Sequence, residues 1–562
     1  LTAAAAVTDS KVMRRRPTAL RANAPSWVLA AVALAACVGD IGGGPPPGDV
    51  PTAEEAAEVG VSGARRLTAL EYRNTVFDLT GVDVTQAELI LPTDERTPFD
   101  NDFTKQISSQ ALIVGSELLA GEVAGTVVAD PALRADVVSC EPSGPADEAC
   151  FRTFVEEFGR RALRRPVGAA EVDAFVDHFM PHAAEANDFW IAIDSGLRAF
   201  LQHPEFLFRV EIGSPIAGMP DLRRLGDFEI ATRLSYFLWG STPPDWLLEA
   251  AEAGELTDPA RLRDAAATML EDERALGRLA RFHAMWLAYE QIPASADLAA
   301  DMRAETDALL ERFIFDESRP WTDVLTANES FLTPELAAHY GLPAPANPEG
   351  EWVPYAGTSR AGLLSHGTFL GAVAKFSDTS PTQRGLLIRT RLFCMTIDRP
   401  PPDLNVNSDE PPQAADPDAC KSEAYSMWQQ DGCKQCHVFM DPVGFGLENF
   451  DALGRYRTTE PDKPECTIDG TGTLEGVGTF QGPAELGQLM AESEDVDRCV
   501  ATQLYRYAAG RYVLDEPDHA LISRLVDEAH EGGEGLKLDA LIGDYVASEA
   551  FQLRREEEVS GE

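Results

Sequence analysis

The stretch Glu271-Asp272-Glu273-Arg274-Ala275-Leu276-Gly277-Arg278-Leu279-Ala280-Arg281-Phe282-His283-Ala284-Met285-Trp286-Leu287-Ala288-Tyr289-Glu290-Gln291 places Leu276, Leu279, His283, Trp286 and Tyr289 at three- and four-residue steps. That spacing draws one apolar face of a helix and makes His283 a core histidine rather than a ligand. The same period returns over Ala64 to Leu79, Phe151 to Leu163, Ala169 to His182, Phe228 to Leu238, Pro259 to Leu270 and Met302 to Phe315. No segment repeats at a fixed longer period, and no alternation of strands with crossover helices marks a nucleotide-binding sheet. The expected fold class is mainly α.

A chain of 562 residues is long enough for roughly three to four domains, each with its own core. Lys and Arg number 47 against 92 Asp and Glu, a formal charge of −45, which repels phosphate backbones and argues against nucleic acid as a partner. The hydrophobic fraction of 44% with 25% charged residues belongs to a globular protein, not a disordered or polytopic membrane one. Pro-containing breaks near Pro215 to Pro220, Pro343 to Pro348 and Pro400 to Pro417 read as linkers.

Met13-Arg14-Arg15-Arg16 precedes the apolar run Trp27 to Leu34, which is too short to span a membrane as an ordinary helix and reads as an export signal. The run ends in Leu34-Ala35-Ala36-Cys37, which resembles a bacterial lipobox and makes Cys37 a candidate lipid anchor. A plain secretory signal with an incidental cysteine is the alternative. Val38 after the cysteine favours the outer membrane by resemblance to the enterobacterial sorting rule. Gly42 to Gly48, all Gly and Pro, suits a tether between membrane and folded body.

The nine cysteines divide by context. Cys140 and Cys150 bracket a short polar loop and form a candidate local disulfide. Cys394, Cys420, Cys466 and Cys499 allow three pairings, between which the sequence does not choose. Cys433-Lys434-Gln435-Cys436-His437 is a C-x-x-C-H motif, the attachment pattern of c-type haem. Two intervening residues put both thiols within one helical turn, where they reach two vinyl groups on one porphyrin edge while the adjacent imidazole binds iron. Composition alone gives this pattern an expectation of roughly 0.002 in the chain. A thioredoxin-like pair lacks its sheet here, and zinc lacks a second pair of soft ligands at suitable spacing.

The sequence therefore points to one covalent haem c held by Cys433 and Cys436, with His437 as proximal iron ligand. Met440 follows too closely to reach the opposite haem face, whereas Met490 has a loop long enough to return and is the tentative distal ligand, with His366 and His519 as rivals. A helix over Lys421 to Gln430 leads into the motif, and helices over Pro483 to Glu492 and Val496 to Tyr512 complete a C-terminal cytochrome c-like haem domain. Asp441 to Gly446 reads as a rigid turn beside the haem. Glu448, Asn449 and Asp451 are candidates for helix capping, a propionate contact or calcium. Arg384, Arg455 and Arg457 are candidates for propionate pairing, for salt bridges within the protein or for a solvated surface role.

Cys433 to Asp451 reads CKQCHVFMDPVGFGLENFD and is followed by Gly454-Arg455-Tyr456-Arg457. With Arg66 to Thr75, Phe99-Asp100-Asn101, Arg161 to Pro166, Arg233 to Trp239, Thr379 to Gly385 and Phe480 to Arg511, it resembles exported multidomain proteins of planctomycetes and myxobacteria. Those are built from domain-of-unknown-function families 1587, 1595, 1592, 1588 and 1585, in that order. The resemblance implies a secreted protein carrying or associated with a cytochrome c module, and implies no reaction or substrate. The expected organisation is an export signal at 1–36 starting at Met13, a tether at 37–60, and helical domains at 61–128, 129–212 and 213–342. A domain at 343–458 carries the motif, and a helical domain at 459–562 completes the haem environment.

No G-x-S-x-G elbow, H-E-x-x-H pair or G-x-x-x-x-G-K-[ST] loop occurs. Adjacency of Ser365 and His366 does not make a nucleophile and its base, and His203 before Pro204 reads as a turn into a packed helix. The function expected is that of a periplasmic or cell-surface lipoprotein, anchored through Cys37, that transfers electrons to an extracytoplasmic redox partner. The alternatives are a non-redox surface scaffold, binding glycan or a partner protein, with a structural C-x-x-C disulfide, and a haem enzyme with an open distal site.

Overall fold

Residues Ala69–Thr80 form the first long helix, α1, because Thr68 and Glu71 close a capping box at its start and Gly81, at φ 71°, ends it. Helix does not extend back to Ala64: Arg65–Arg66 (β1) pairs antiparallel with Phe208–Arg209 (β2) and takes those residues out of the helical path. The computed structural model describes residues 50–355, 357–375, 378–398, 412, 416 and 418–556. The expected export signal, the candidate anchor Cys37 and the first part of the tether lie outside the described residues. Helix accounts for 56% and strand for 9%, so the fold is mainly α.

Gln110–Ala129 (α2), Glu148–Leu163 (α3), Ala169–Ala186 (α4) and Trp190–Leu201 (α5) follow. Their apolar stripes close on a shared core that includes Tyr72, Val76, Leu119, Phe151, Phe154, Leu197 and Phe200. The break at Pro215 to Pro220 is a hairpin rather than a linker: Ser214–Ile216 (β3) pairs with Met219–Arg224 (β4) around Gly218, at φ 83°. Asp227–Leu238 (α6), Pro259–Leu270 (α7), Glu273–Trp286 (α8) and Ala296–Leu310 (α9) come next. Asp258 caps α7, whose first residue is Pro259, the position where a missing N–H costs nothing. Beyond Leu310 the helix widens into a π turn over Glu311–Asp316.

The remaining elements include the helix that carries the motif. Pro381–Leu387 (α10) continues as a π turn over Ile388–Leu392, and Lys434–Phe445 forms α11. Thr471–Leu474 (β5) and Gly478–Gln481 (β6) make an antiparallel hairpin, followed by Gly482–Ala491 (α12), Glu494–Ala509 (α13), Glu516–Glu531 (α14) and Leu538–Ala547 (α15). The last strand, Leu553–Arg555 (β7), pairs with β4. A second core joins Leu234, Phe282, Trp286, Trp321, Val443, Met490, Leu504 and Leu541, which are distant in sequence. Asn101 Nδ2 donates to the Tyr507 carbonyl at 2.8 Å, and Arg65 Nη1 to the Ala508 carbonyl at 2.8 Å, which ties the C-terminal helices to the first segment. The described residues accordingly form one compact unit.

His283 is a core residue, as its helical spacing predicts. Its Nδ1 donates to the Leu279 carbonyl at 2.7 Å and its Nε2 accepts from Trp321 Nε1 at 3.0 Å. Burial lowers its pKa to about 4, so the ring is neutral there. Trp286 Nε1, on the same helix, donates to the Arg391 carbonyl at 2.7 Å and fixes the π turn that follows α10.

Candidate functional site

Gly432, at φ 89°, turns the chain into α11, and Cys433 stands at the N-cap of that helix. The Cys433 carbonyl accepts from His437 N at 3.1 Å, so the motif forms the first helical turn and both thiols lie one turn apart. Cys433 and Cys436 are the free cysteines among the described residues, and both are part-exposed. The other six described cysteines are paired: Cys140 with Cys150, Cys394 with Cys499, and Cys420 with Cys466. The last two bridges are nested around the motif, with sequence separations of 105 and 46. Cys420, Glu460 and Cys466 form a cluster of metal-type donors, but the bridge consumes both sulfurs.

The expected turn at Asp441 to Gly446 is helical instead, as α11 runs on to Phe445 with Pro442 inside it. Proline removes one helical hydrogen bond and crowds the carbonyl four residues back, so a neighbour must hold the distorted segment. That neighbour is α10 with its π extension. Arg389 Nε donates to the Phe439 carbonyl at 3.2 Å, and its Nη2 donates to the Glu475 carbonyl at 2.7 Å. The two helices meet at glycines: a Cβ on Gly385 would overlap the Met440 carbonyl, and one on Gly444 would overlap the Pro381 carbonyl.

Continuing the helix puts Asp441 one turn after His437. His437 Nδ1 lies 3.0 Å from each Asp441 oxygen, and Thr382 Oγ1 donates to Asp441 Oδ1 at 2.7 Å. The Asp441 side chain is 0% exposed and that of His437 is 20% exposed, so the carboxylate grips the inner nitrogen of a ring that still reaches the surface. The H-x-x-x-D spacing carries this contact in the sequence. The turn chemistry of Asp441-Pro442 masks it.

Of the arginines proposed as propionate partners, Arg384 and Arg457 are committed inside the protein, whereas Arg455 is exposed. Arg384, 1% exposed, donates from Nη1 to the Leu447 carbonyl at 2.8 Å and the Phe450 carbonyl at 2.9 Å, and from Nη2 to the Asp451 carbonyl at 2.9 Å. It also meets Glu448 Oε1 at 3.1 Å. Arg457 Nη2 and Lys421 Nζ reach Glu448 Oε2 at 2.8 and 3.3 Å. Arg455 Nη2 lies 3.3 Å from His339 Nδ1. Burial pushes the Asp378 carboxyl up, yet the Lys421 ammonium and the Arg457 charge outweigh it and hold the group below its ordinary value. Asn449 Nδ2 donates to the carbonyls of Arg457 and Ile468, and Asp451 Oδ1 accepts from the amides of Leu453 and Arg455. Both close turns.

The sequence-based distal candidates lie elsewhere. Met490 is 0% exposed in the large core, on α12, which packs against Asp323–Thr326 and β6, whereas α11 packs on α10 and β5. His519 is exposed on α14. His366 is 0% exposed, with Nδ1 3.0 Å from Thr306 Oγ1 and Nε2 3.3 Å from Ser330 Oγ. Ser365 Oγ donates to the Gly362 carbonyl, so Ser365 and His366 are not paired with each other. His203 Nδ1 caps the short helix Pro204–Leu207, as a turn residue should.

Five segments of the chain match families, each described as "Protein of unknown function". Residues 65–129 match DUF1587 and residues 150–211 match DUF1595. Residues 225–342 match DUF1592, residues 360–460 match DUF1588 and residues 478–551 match DUF1585. The chain belongs to the proteins built from these five domains in this order. The DUF1588 segment contains α10, α11 and the Arg384 network, so the cross-braced motif falls within one of them. No curated protein and no solved structure matches the chain.

Proposed function

We propose that this chain carries one covalent haem c on Cys433 and Cys436, with His437 as proximal iron ligand, and passes electrons within an extracytoplasmic redox system to which a lipid-modified Cys37 anchors it. The observation that carries this reading is a contrast in sulfur chemistry. Six described cysteines are closed into disulfides, while the two thiols of the motif stand free and part-exposed beside an imidazole already held at Nδ1. Thioether formation needs two such thiols, and iron ligation needs the other ring nitrogen, Nε2. The disulfides also fit an oxidising compartment, where C-x-x-C pairs not taken up by haem would close. Bound haem would supply a one-electron couple, for which the protein provides attachment, an axial ligand and shielding. The five-domain architecture is compatible with this reading and names no reaction.

The test is expression of the mature chain in a periplasm with the haem c maturation machinery, followed by a pyridine haemochrome spectrum and an intact mass. A c-type spectrum and the added mass of one haem are expected, both lost in Cys433→Ala/Cys436→Ala. A haem-free chain beside a normally matured control cytochrome overturns the reading and leaves the surface-scaffold alternative.

A further inference from the structure

An iron-ligating imidazole has two nitrogens, and whatever holds the second one decides which tautomer is present and how strongly the first donates. The usual holders are a backbone carbonyl, water or a carboxylate, and a carboxylate brings a full negative charge close to the metal. In this protein the holder is Asp441, with both oxygens 3.0 Å from His437 Nδ1. Its side chain is wholly buried, so water does not screen that charge. Its second partner is the hydroxyl of Thr382, which donates to Oδ1 at 2.7 Å from the first turn of α10. The glycine crossing fixes both helices, so the chain Thr382, Asp441, His437 is set before any ligand arrives.

Resting on the haem reading above, we propose that Asp441 is the positioning residue that fixes His437 as an Nε2 donor and lowers the reduction potential of the bound iron, with Thr382 moderating its charge. Negative charge behind the ligand stabilises the oxidised iron, which carries one more positive charge, more than the reduced iron. The hydroxyl of Thr382 draws part of that charge away from the ring. Removing the carboxylate charge and removing the hydroxyl therefore act in opposite directions, whereas simple loosening of the site would move both variants the same way.

The test uses the full mature chain, first without haem. Nitrogen-15 shifts of His437, recorded where imidazole is neutral, should report the Nδ1–H tautomer in the wild type and a weaker preference for it in Asp441→Asn, whose Oδ1 still accepts but carries no charge; an Nε2–H tautomer in the wild type overturns the proposal. In the haem-loaded chain, Asp441→Asn should favour the reduced iron by about tenfold, a rise of about 59 mV for one electron. Thr382→Val should shift the midpoint the other way. Haem that attaches with an unmoved midpoint, or midpoints that move together, overturns this inference alone. A wild type that takes up no haem overturns the function proposed above and this inference with it.

Discussion

Gly385 on α10 and Gly444 on α11 form a reciprocal crossing in which each glycine lies against a backbone carbonyl of the other helix, Met440 and Pro381 respectively. Backbone contact this close leaves no room for even a methyl group, and neither carbonyl can swing aside as a flexible side chain could. The crossing holds the proline-containing half of α11, and with it the turn that carries Cys433, Cys436 and His437.

Substituting Gly444→Ala should therefore destabilise the protein by about 1–3 kcal/mol, towards the upper end, through forced separation of the two helices. Gly125→Ala provides a control of opposite sign. Gly125 is exposed on α2 and an added Cβ there meets nothing within 4 Å, so alanine should stabilise that helix by about 0.5–1 kcal/mol. Urea unfolding of the two variants distinguishes them, and equal midpoints would show that the crossing does not resist separation.

How far this arrangement was legible in the sequence depends on the residue. The period of Leu276, Leu279, His283 and Trp286 is a local property, and it yields helix α8 and a buried histidine directly, although the helix ends at Trp286 and Tyr289 lies beyond it. The C-x-x-C-H spacing is equally local. Asp441 failed because Asp-Pro before Gly is ordinary turn chemistry, and only the packing of α10 makes a helix there worth its cost. For Arg384 the sequence leaves a propionate and a salt bridge within the protein open, and the structure pairs it with Glu448; its carbonyl partners at Leu447, Phe450 and Asp451 lie more than sixty positions away, where no local pattern marks them. The expected helix Lys421 to Gln430 divides into Lys421–Ala424 and Ser426–Gln429. Its first residue is drawn to Asp378 and Thr379 by Lys421 Nζ, and its cap, Cys420, is tied to Cys466. None of these long-range ties has a sequence period.

The sulfur pattern predicts a thiol count. In haem-free chain with Cys37→Ser, unfolding without reductant and alkylation should add at most two labels, at Cys433 and Cys436 where that pair has not closed, and prior reduction should raise the count to eight. Four labels without reduction would mean that one bridge is absent. The Cys394–Cys499 bridge closes the longer loop, so Cys394→Ala/Cys499→Ala should lower stability by about 2–5 kcal/mol through the freed unfolded chain.

A buried carboxyl makes the stability of this protein depend on pH in a way that one substitution exposes. Glu305 is fully buried, accepts from Ser330 Oγ at 2.7 Å and Tyr340 Oη at 2.8 Å, and stands 3.6 Å from His366. Burial raises its pKa to about 7, against the pull of those two hydroxyls and of the Arg360 charge, whereas burial and Arg360 lower that of His366 to about 3. As pH rises from about 4.5 through 7 the unfolded state loses the Glu305 proton and the folded state keeps it, so this group's contribution falls, by on the order of 3 kcal/mol. His366 acts in the opposite sense: below about 6.5 only the unfolded state takes up its proton, and stability is lost as pH falls towards about 3. The two slopes oppose each other between about 4.5 and 6.5, where the wild type should show little net dependence from this pair. Glu305→Gln removes one of them. Relative to that variant, the wild type should lose stability steadily between about pH 4.5 and 7 and not beyond, as read from urea midpoints across the range. A wild-type-minus-variant difference that stays flat would mean that Glu305 is ionised in the fold, with the buried hydroxyls and Arg360 outweighing its burial.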